Sequence, residues 1–250
     1  MTFLVIAHSH RSDLIPHWLH SATVEALRKP CNYVNLHESH FCDVGRSRDQ
    51  LARIALSSDR TTHVLFVDDD IIIPDSECLA HMLEFLEKNN ASIVSGLYYK
   101  RYPPHEPLIM DMKVVDGQPY ITFPFANKEI PKDTLIRVGC VPAGFLLVKR
   151  EAFEKIGEPY FVYGAPELCK GLPLGEWTPG EDVYFSWKAR KAGFELWVDT
   201  RADLLHYVPK LIGNPKLIEA VIGTGAAHTA KLTKKLEEHA SGPEKEMSRE

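Results

Sequence analysis

The chain has 250 residues, of which 44% are hydrophobic and 25% charged, and its formal net charge is −5. This composition is typical of a globular protein, and the acidic balance does not favour a nucleic-acid partner. The five cysteines include no CxxC pair, which predicts reduced thiols and a cytoplasmic protein rather than a disulfide framework. We expect no transmembrane segment, because no apolar run approaches the ~20 residues that span a bilayer, and no signal peptide.

The first part of the chain alternates strand and helix patterns. Strands are predicted over residues 2–8, 32–36, 63–67 and 91–98, and helices over 13–29, 44–58 and 76–89. This order predicts an α/β fold with a mostly parallel sheet and helices on both faces. In such sheets ligands bind beyond the carboxyl ends of the strands.

The second part is less regular. A hairpin that turns at Asp116-Gly117 is predicted near residues 111–123, and a strand that leads into a short helix over 144–157. A glycine- and proline-rich stretch, 164–180, predicts a long loop. A helix over 181–194 and a strand over 195–199 follow, then a helix-like tail from about 211 whose last ten residues have a disordered composition.

Three consecutive aspartates follow the third predicted strand. In an extended segment Asp68 and Asp70 point to one side and Asp69 to the other. The first and third then lie roughly 6.6 Å apart along the strand, at ~3.3 Å per residue. Carboxylates so spaced suit one hard cation, Mg²⁺ or Mn²⁺, together with the phosphates of its ligand. The alternative is a solvated strand end in which one aspartate caps the next helix.

The segment "FVDDDI" resembles the DxD motif of glycosyltransferases of the GT-A fold, in particular family-2 enzymes. Five other segments resemble the same family in the same order between about residues 3 and 207. They are "AHSHRSD" for the nucleotide-binding loop, "VGRSRDQLARIAL" for the helix after the second strand, "PAGFLLVKREAFEKIG", the "GED" helix in "TPGEDVYFSWKARKAGFELWVD", and "DLLHY" for a C-terminal metal histidine.

This resemblance implies a GT-A fold and a metal-dependent glycosyltransferase of the hexosyltransferase type. It would move a sugar from a nucleotide-sugar donor, by default a UDP-sugar, to a hydroxyl acceptor, with inversion. We expect one catalytic domain over residues 1–208, with a nucleotide-binding half (1–100) and a smaller, mixed acceptor-binding half (101–208). A helical or disordered tail (209–250) follows, and self-association through it is a further expectation.

The resemblance also implies roles for the aspartates. Asp70 is the expected direct ligand of Mn²⁺ or Mg²⁺, and Asp68 assists the metal or contacts the ribose of the donor. Asp69 is expected to reach the donor sugar or the metal. His206 would complete the metal shell as a neutral imidazole. The alternative for His206 is a partly buried strand histidine with an ordinary hydrogen bond.

Two acidic residues, Glu181 and Asp182, begin the predicted "GED" helix. A helix N-terminus favours carboxylates, and this explains one of them without any catalytic role. In inverting members of the family the second acid of this pair is the general base. By resemblance, Asp182 would take the proton from the acceptor hydroxyl, and Glu181 would orient the acceptor or a neighbouring loop.

The remaining candidates surround the expected donor and acceptor. Trp177 is predicted to stack on the acceptor sugar, with ordinary aromatic packing as the alternative. The others are predicted to contact the donor, with solvated charges, a merely basic loop or simple turns as alternatives: His8, Arg11, Glu38, Arg48, Lys100, Arg101 and Gly144.

Three other functions compete with glycosyl transfer. A nucleotidyltransferase would normally carry a glycine-rich loop after the first strand, and "AHSHRSDL" has no glycine. A phosphatase with a DxD nucleophile normally has that motif near its N-terminus, whereas here it follows two predicted strand–helix units. A non-catalytic sugar-binding paralogue is disfavoured because Asp68, Asp70, Asp182 and His206 are all present.

Overall fold

A seven-stranded sheet forms the centre of the described part of the chain. The computed structural model describes residues 3–10, 32–39, 43–115, 118–169, 178–208, 210–212 and 214. The predicted helix over 13–29, most of the predicted glycine-rich loop and nearly all of the tail lie outside these residues. No helix of the described residues is long and apolar enough to cross a membrane.

The described elements follow one another in the order that the sequence patterns predict, with additional short strands and a short helix, Pro166–Cys169, at the start of the predicted long loop. The strands are β1 (Phe3–His10), β2 (Asn32–Ser39), β3 (His63–Asp68), β4 (Ile71–Ile72), β5 (Ile93–Leu97), β6 (Asp111–Val115), β7 (Gln118–Thr122), β8 (Leu135–Val138), β9 (Phe145–Lys149), β10 (Leu196–Asp203), β11 (Leu205–Val208) and β12 (Lys210–Ile212). The helices are α1 (Val44–Leu56), α2 (Cys78–Lys88), α3 (Arg150–Ile156), α4 (Pro166–Cys169) and α5 (Glu181–Lys191).

The central sheet has the order β2-β1-β3-β9-β5-β10-β8. Strand β1 pairs in parallel with β2 and β3, and β10 pairs in parallel with β5. Strand β9 runs antiparallel between β3 and β5, and β8 is antiparallel to β10. Five strands therefore share one direction, which confirms a mostly parallel sheet. The insertion of β9 is not predicted by the sequence, because its pairing partners are distant in the chain.

Helices cover both faces of this sheet, and β3 shows why. All its residues from His63 to Val67 are buried, and successive side chains point to opposite faces. Val64 and Phe66 pack in a cluster with residues of α1, α3 and α5. Leu65 and Val67 pack in a second cluster with residues of α2. The continuous apolar run in the sequence thus reflects burial on both faces.

The strand ends bring distant segments to one edge of the sheet, which we call the carboxyl edge, where β3 ends at Asp68 and β5 ends at Leu97. Because β9 runs the opposite way, its start lies at the same edge, and the Asp68 N–H donates to the Gly144 carbonyl at 2.8 Å. A second, three-stranded sheet of β12, β11 and β4 adjoins this edge and pairs His206 with Ile71.

Candidate active site

Arg48 lies at the centre of the first cluster of charges at the carboxyl edge. It is only 3% exposed. Its Nη2 donates to both Asp68 carboxylate oxygens, at 2.5 and 2.7 Å, and its Nη1 contacts Glu181 Oε1. Burial lowers the pKa of Arg48, but the carboxylates of Asp68 and Glu181 raise it by more, so the guanidinium stays charged. One buried cation therefore ties together α1, the end of β3 and the start of α5.

The local sequence explains the position of Arg48. Helix α1 begins at its N-cap Asp43, whose side chain accepts a hydrogen bond from the Arg46 N–H at 3.0 Å. Arg48 lies on the face of α1 that is buried against the sheet, together with Leu51, Ala52 and Ala55. A charged residue on such a face requires a partner, and Asp68 and Glu181 supply it.

A second cluster joins Asp70, His206 and Arg101. His206 Nε2 lies 3.4 Å from Asp70 Oδ2, because β11 pairs with β4 immediately after the aspartates and the Tyr207 N–H donates to the Asp70 carbonyl at 2.7 Å. Arg101 contacts Asp70 Oδ2 and donates from Nε to His206 Nε2 at 2.8 Å. Asp70 is only 2% exposed, and Arg101 offsets the charge of its carboxylate.

Tyr98 connects the two clusters. Its hydroxyl accepts a hydrogen bond from the Gly144 N–H at 2.7 Å, and its ring packs edge-on against that of His206, with the centroids 5.5 Å apart. A Cβ atom on Gly144 would lie 2.5 Å from Tyr98 Oη and 3.1 Å from Asp68 Oδ2. Only glycine therefore fits here without a shift of its neighbours. The absence of a side chain lets the backbone approach the Asp68 carboxylate and the Tyr98 hydroxyl.

The acidic pair lies in the first turn of α5, which begins at the N-cap Gly180. Glu181 is buried and paired with Arg48, whereas Asp182 is partly exposed. Asp182 Oδ1 accepts a hydrogen bond from the Val183 N–H at 2.8 Å. Burial and the neighbouring charge of Glu181 raise the pKa of Asp182 to about 7. A carboxylate with this pKa is suited to proton transfer near neutral pH.

The donor set of the second cluster fits a divalent cation. Asp70 Oδ1 is buried and has no hydrogen-bond partner within the described residues, and the other oxygen of this carboxylate, Oδ2, lies 3.4 Å from His206 Nε2. A carboxylate suits Mg²⁺ or Mn²⁺, and an imidazole nitrogen is a common metal ligand. Asp68 differs, because Arg48 holds both its oxygens. No three histidine, cysteine or acidic side chains of the described residues form a ready-made metal group, so the three-ligand set stays a prediction.

A family model with the description "glycosyl transferase family 2" matches residues 22–157, which is more than half of the chain. The chain belongs to this family. The predicted resemblance is thereby confirmed, and the protein is a glycosyltransferase. A comparison with curated proteins gave no match.

Solved structures resemble this glycosyltransferase in fold. The structure of "A197 from STIV" aligns with a TM-score of 0.54 and 18% identity over 86% of this chain and 94% of that one. The structure of "GalNAc-T7 with UDP, GalNAc and Mn2+" aligns with a TM-score of 0.50 and 13% identity, over 79% of this chain and 42% of that one. At these identities the likeness shows the fold, and it confirms the predicted GT-A architecture.

Several of the residues predicted to contact the donor or the acceptor of the glycosyltransferase make other contacts or lie outside the described side chains. Lys100 pairs with Glu106, and its Nζ lies 3.4 Å from the centre of the Phe123 ring. Asp69 is buried, and in the chain it lies between Asp68 of the first cluster and Asp70 of the second. For His8 and Glu38 only the backbone is described, on β1 and β2, and Arg11 and Trp177 lie outside the described residues.

One residue of the glycosyltransferase site, Tyr98, was not among the predicted site residues, and another, Arg101, was predicted with Lys100 to contact the donor rather than Asp70. Tyr98 and Arg101 both follow β5 directly and so lie at the carboxyl edge. Their position after a predicted strand was the available signal, but no local pattern in "YYKR" indicates which of these residues turns toward Asp70. The structure shows Arg101 at Asp70, and Lys100 paired within its own loop.

Proposed function

We propose that this glycosyltransferase moves a sugar from a nucleotide-sugar donor, a UDP-sugar, to a hydroxyl acceptor, with a divalent cation and with inversion at the anomeric carbon. The observation that carries the proposal is the meeting of Asp68, Asp70, Glu181-Asp182 and His206 at one edge of the sheet. These residues come from separate segments of the chain. Asp68 and Glu181 contact the guanidinium of Arg48, and Asp70 and His206 contact that of Arg101.

The charges support a divalent cation. The two guanidinium groups, Arg48 and Arg101, face the carboxylates of Asp68, Asp70 and Glu181. Among the described residues of the site, neither of these guanidinium groups is therefore free to bind the diphosphate of a donor. We infer that Asp70 and His206 hold Mn²⁺ or Mg²⁺. When bound, such an ion would stabilise the negative charge on the departing diphosphate.

Arg48 fixes the geometry around the donor. Its bidentate contact orients the Asp68 carboxylate, and this orientation suits a contact from Asp68 to the ribose of the donor. Its other contact holds Glu181 and therefore the first turn of α5. Arg48 thus acts as a positioning residue, since both ends of its guanidinium are already engaged with carboxylates of the chain.

Asp182 is the proposed general base. It accepts the proton of the acceptor hydroxyl as the hydroxyl oxygen forms its bond to the anomeric carbon and the bond from that carbon to the diphosphate oxygen breaks. A single displacement of this kind inverts the anomeric configuration. A pKa near 7 keeps part of the Asp182 population deprotonated at neutral pH while leaving it basic enough to accept a proton.

Calorimetric titration with UDP in the presence of Mn²⁺ tests the metal assignment. Asp70→Ala should lose metal-dependent UDP binding, whereas Asp59→Ala removes an exposed aspartate and should bind as the wild type does. Unchanged UDP affinity in Asp70→Ala would contradict the assignment. A thermal-shift panel of nucleotide sugars with Mn²⁺ then identifies the donor, because ligands that bind only the folded state raise its melting temperature.

Asp182→Asn separates binding from chemistry. This variant should bind UDP and Mn²⁺ with wild-type affinity but lose transfer, since an amide does not accept the hydroxyl proton. NMR of the product anomer tests inversion, and a retained configuration would exclude Asp182 as the base. If the protein binds a nucleotide sugar but neither transfers the sugar to any acceptor nor hydrolyses the donor when no acceptor is present, a non-catalytic sugar-binding protein would be favoured instead.

We also infer that the enzyme works in the cytoplasm. Within the described residues Cys78, Cys140 and Cys169 are free thiols, and the first two are buried. Unpaired cysteines are typical of proteins in reducing compartments. Cell fractionation tests this location, and recovery in an oxidising compartment would contradict it.

A further inference from the structure

The cation between Asp70 and His206 in this structure is a side chain of the protein itself. Arg101 contacts Asp70 Oδ2 through Nη2, and its Nε donates to His206 Nε2 at 2.8 Å. The two atoms that Arg101 contacts, Asp70 Oδ2 and His206 Nε2, belong to the residues that we propose as metal ligands. The guanidinium therefore supplies positive charge at the place where the proposed metal binds.

The hydrogen bonds of His206 fix which nitrogen is available. His206 Nδ1 lies 2.7 Å from the Tyr99 carbonyl oxygen, which only accepts, so Nδ1 carries the hydrogen. Nε2 then carries the one lone pair of the ring, and Arg101 Nε, which only donates, uses it. A lone pair used in this way is not available to a metal, so His206 becomes a ligand only when Arg101 moves away.

Asp70, in contrast to His206, has a side-chain atom without a partner among the described residues. The residue is 2% exposed, and its Oδ1 is buried and has no hydrogen-bond partner among the described residues. An unpaired buried carboxylate oxygen is unfavourable, and Arg101 does not satisfy it. Arg101 therefore offsets the charge of Asp70 only in part and leaves this oxygen for another cation.

We infer that Arg101 is a placeholder cation that competes with the metal, an inference that rests on the proposed metal-dependent function. In the metal-free protein its guanidinium occupies His206 Nε2 and Asp70 Oδ2, and metal binding displaces it. The displacement requires no change in the core, because the Arg101 side chain is 29% exposed and lies on the loop after β5. Metal affinity is then set by this competition as well as by the ligands.

Titration of Mn²⁺ without nucleotide, followed by electron paramagnetic resonance, tests this competition. Arg101→Met should raise the Mn²⁺ affinity about tenfold, because the metal no longer has to break a charge-assisted hydrogen bond. Removal of any positive charge also favours cation binding, so Arg137→Met on the edge strand β8 is the charge-matched control. It should change the affinity by less than about twofold, since its charge is exposed and screened.

His206→Gln distinguishes competition for the lone pair from a simple charge effect. In a His206→Gln background, Arg101→Met should raise the affinity by no more than about threefold, whereas a charge effect alone would remain tenfold. With UDP and Mn²⁺ bound, electron spin echo spectra of the wild type should show coupling to an imidazole nitrogen that His206→Gln removes.

The possible results separate this inference from the proposed function. If the wild type binds Mn²⁺ and UDP but Arg101→Met binds Mn²⁺ no more tightly, the placeholder role is wrong and the metal-dependent function stands. If the gain is the same in both His206 backgrounds, Arg101 acts by charge alone, and the inference is again wrong. If no variant binds Mn²⁺ even with UDP, the proposed metal site fails and this inference fails with it.

Discussion

Substitution of Arg48 by methionine tests whether a single buried cation holds the donor and acceptor sides of the site together. Methionine retains an unbranched apolar stem but removes the guanidinium. The Asp68 and Glu181 carboxylates, whose side chains are 20% and 10% exposed, then remain nearly buried without a positive partner. Removing one member of a buried ion pair costs about 3–5 kcal/mol, because the remaining charge is uncompensated.

This cost corresponds to a large change in stability. For a chain of this size, 1 kcal/mol lowers the melting temperature by about 2–4 °C, so Arg48→Met should melt roughly 6–20 °C below the wild type. Urea denaturation gives the free energy of unfolding directly. The triple variant Arg48→Met, Asp68→Asn, Glu181→Gln should recover part of the loss, because it no longer buries an unpaired charge.

The matched control is Arg137→Met. Arg137 on β8 also pairs with a carboxylate distant in the chain, at 2.7 Å from Glu195, but the two side chains are 68% and 57% exposed. Exposed pairs of this kind contribute less than about 1 kcal/mol. Equal losses of stability in Arg48→Met and Arg137→Met would show that the buried contacts of Arg48 do not carry the expected energy and would refute the reasoning.

Two further predictions concern the base and the glycine. The pKa of Asp182, raised to about 7 by burial and by Glu181, predicts a transfer rate that rises with pH through about 7, because only the deprotonated carboxylate accepts a proton. Glu181→Gln should move this midpoint to lower pH, and a rate profile without a rise would count against the base role. Gly144→Ala should cost about 1–3 kcal/mol in urea denaturation and weaken UDP binding, since its Cβ would lie 2.5 Å from Tyr98 Oη and 3.1 Å from Asp68 Oδ2. Wild-type stability in that variant would mean that the cleft has room for a methyl group.

Local patterns in the sequence were sufficient for the main elements. The apolar run of β3 and the periodic apolar positions of α1 predicted both elements within one or two residues. The sequence also predicted that α3 ends at Gly157. This glycine has a positive φ of 71°, a conformation that glycine adopts readily. These features depend on neighbours in the chain, and so the sequence carries them directly.

Local sequence patterns did not predict the short strands or the place of the inserted strand in the sheet. The two-residue strand β4 and the strand β8 have no distinctive pattern, and their pairing with β11 and β10 depends on residues far along the chain. Strand β9 was predicted as a strand, but its place between β3 and β5 in the middle of the sheet was not, because both partners lie far along the chain. Its apolar run predicts burial but not direction.

The aspartate triplet shows most clearly which features the sequence determines and which depend on the tertiary structure. The sequence alone determined that three carboxylates follow a buried strand and that a cation is needed beside them. The prediction that Asp68 and Asp70 share one side assumed an extended segment, whereas β3 ends at Asp68 and the next two aspartates lie in a turn. Only the tertiary structure decided that two different arginines divide them, Arg48 at Asp68 and Arg101 at Asp70. The physical reason is that charge partners are set by long-range packing. Arg48 meets Glu181 across 133 residues of chain, and no local pattern encodes such a contact.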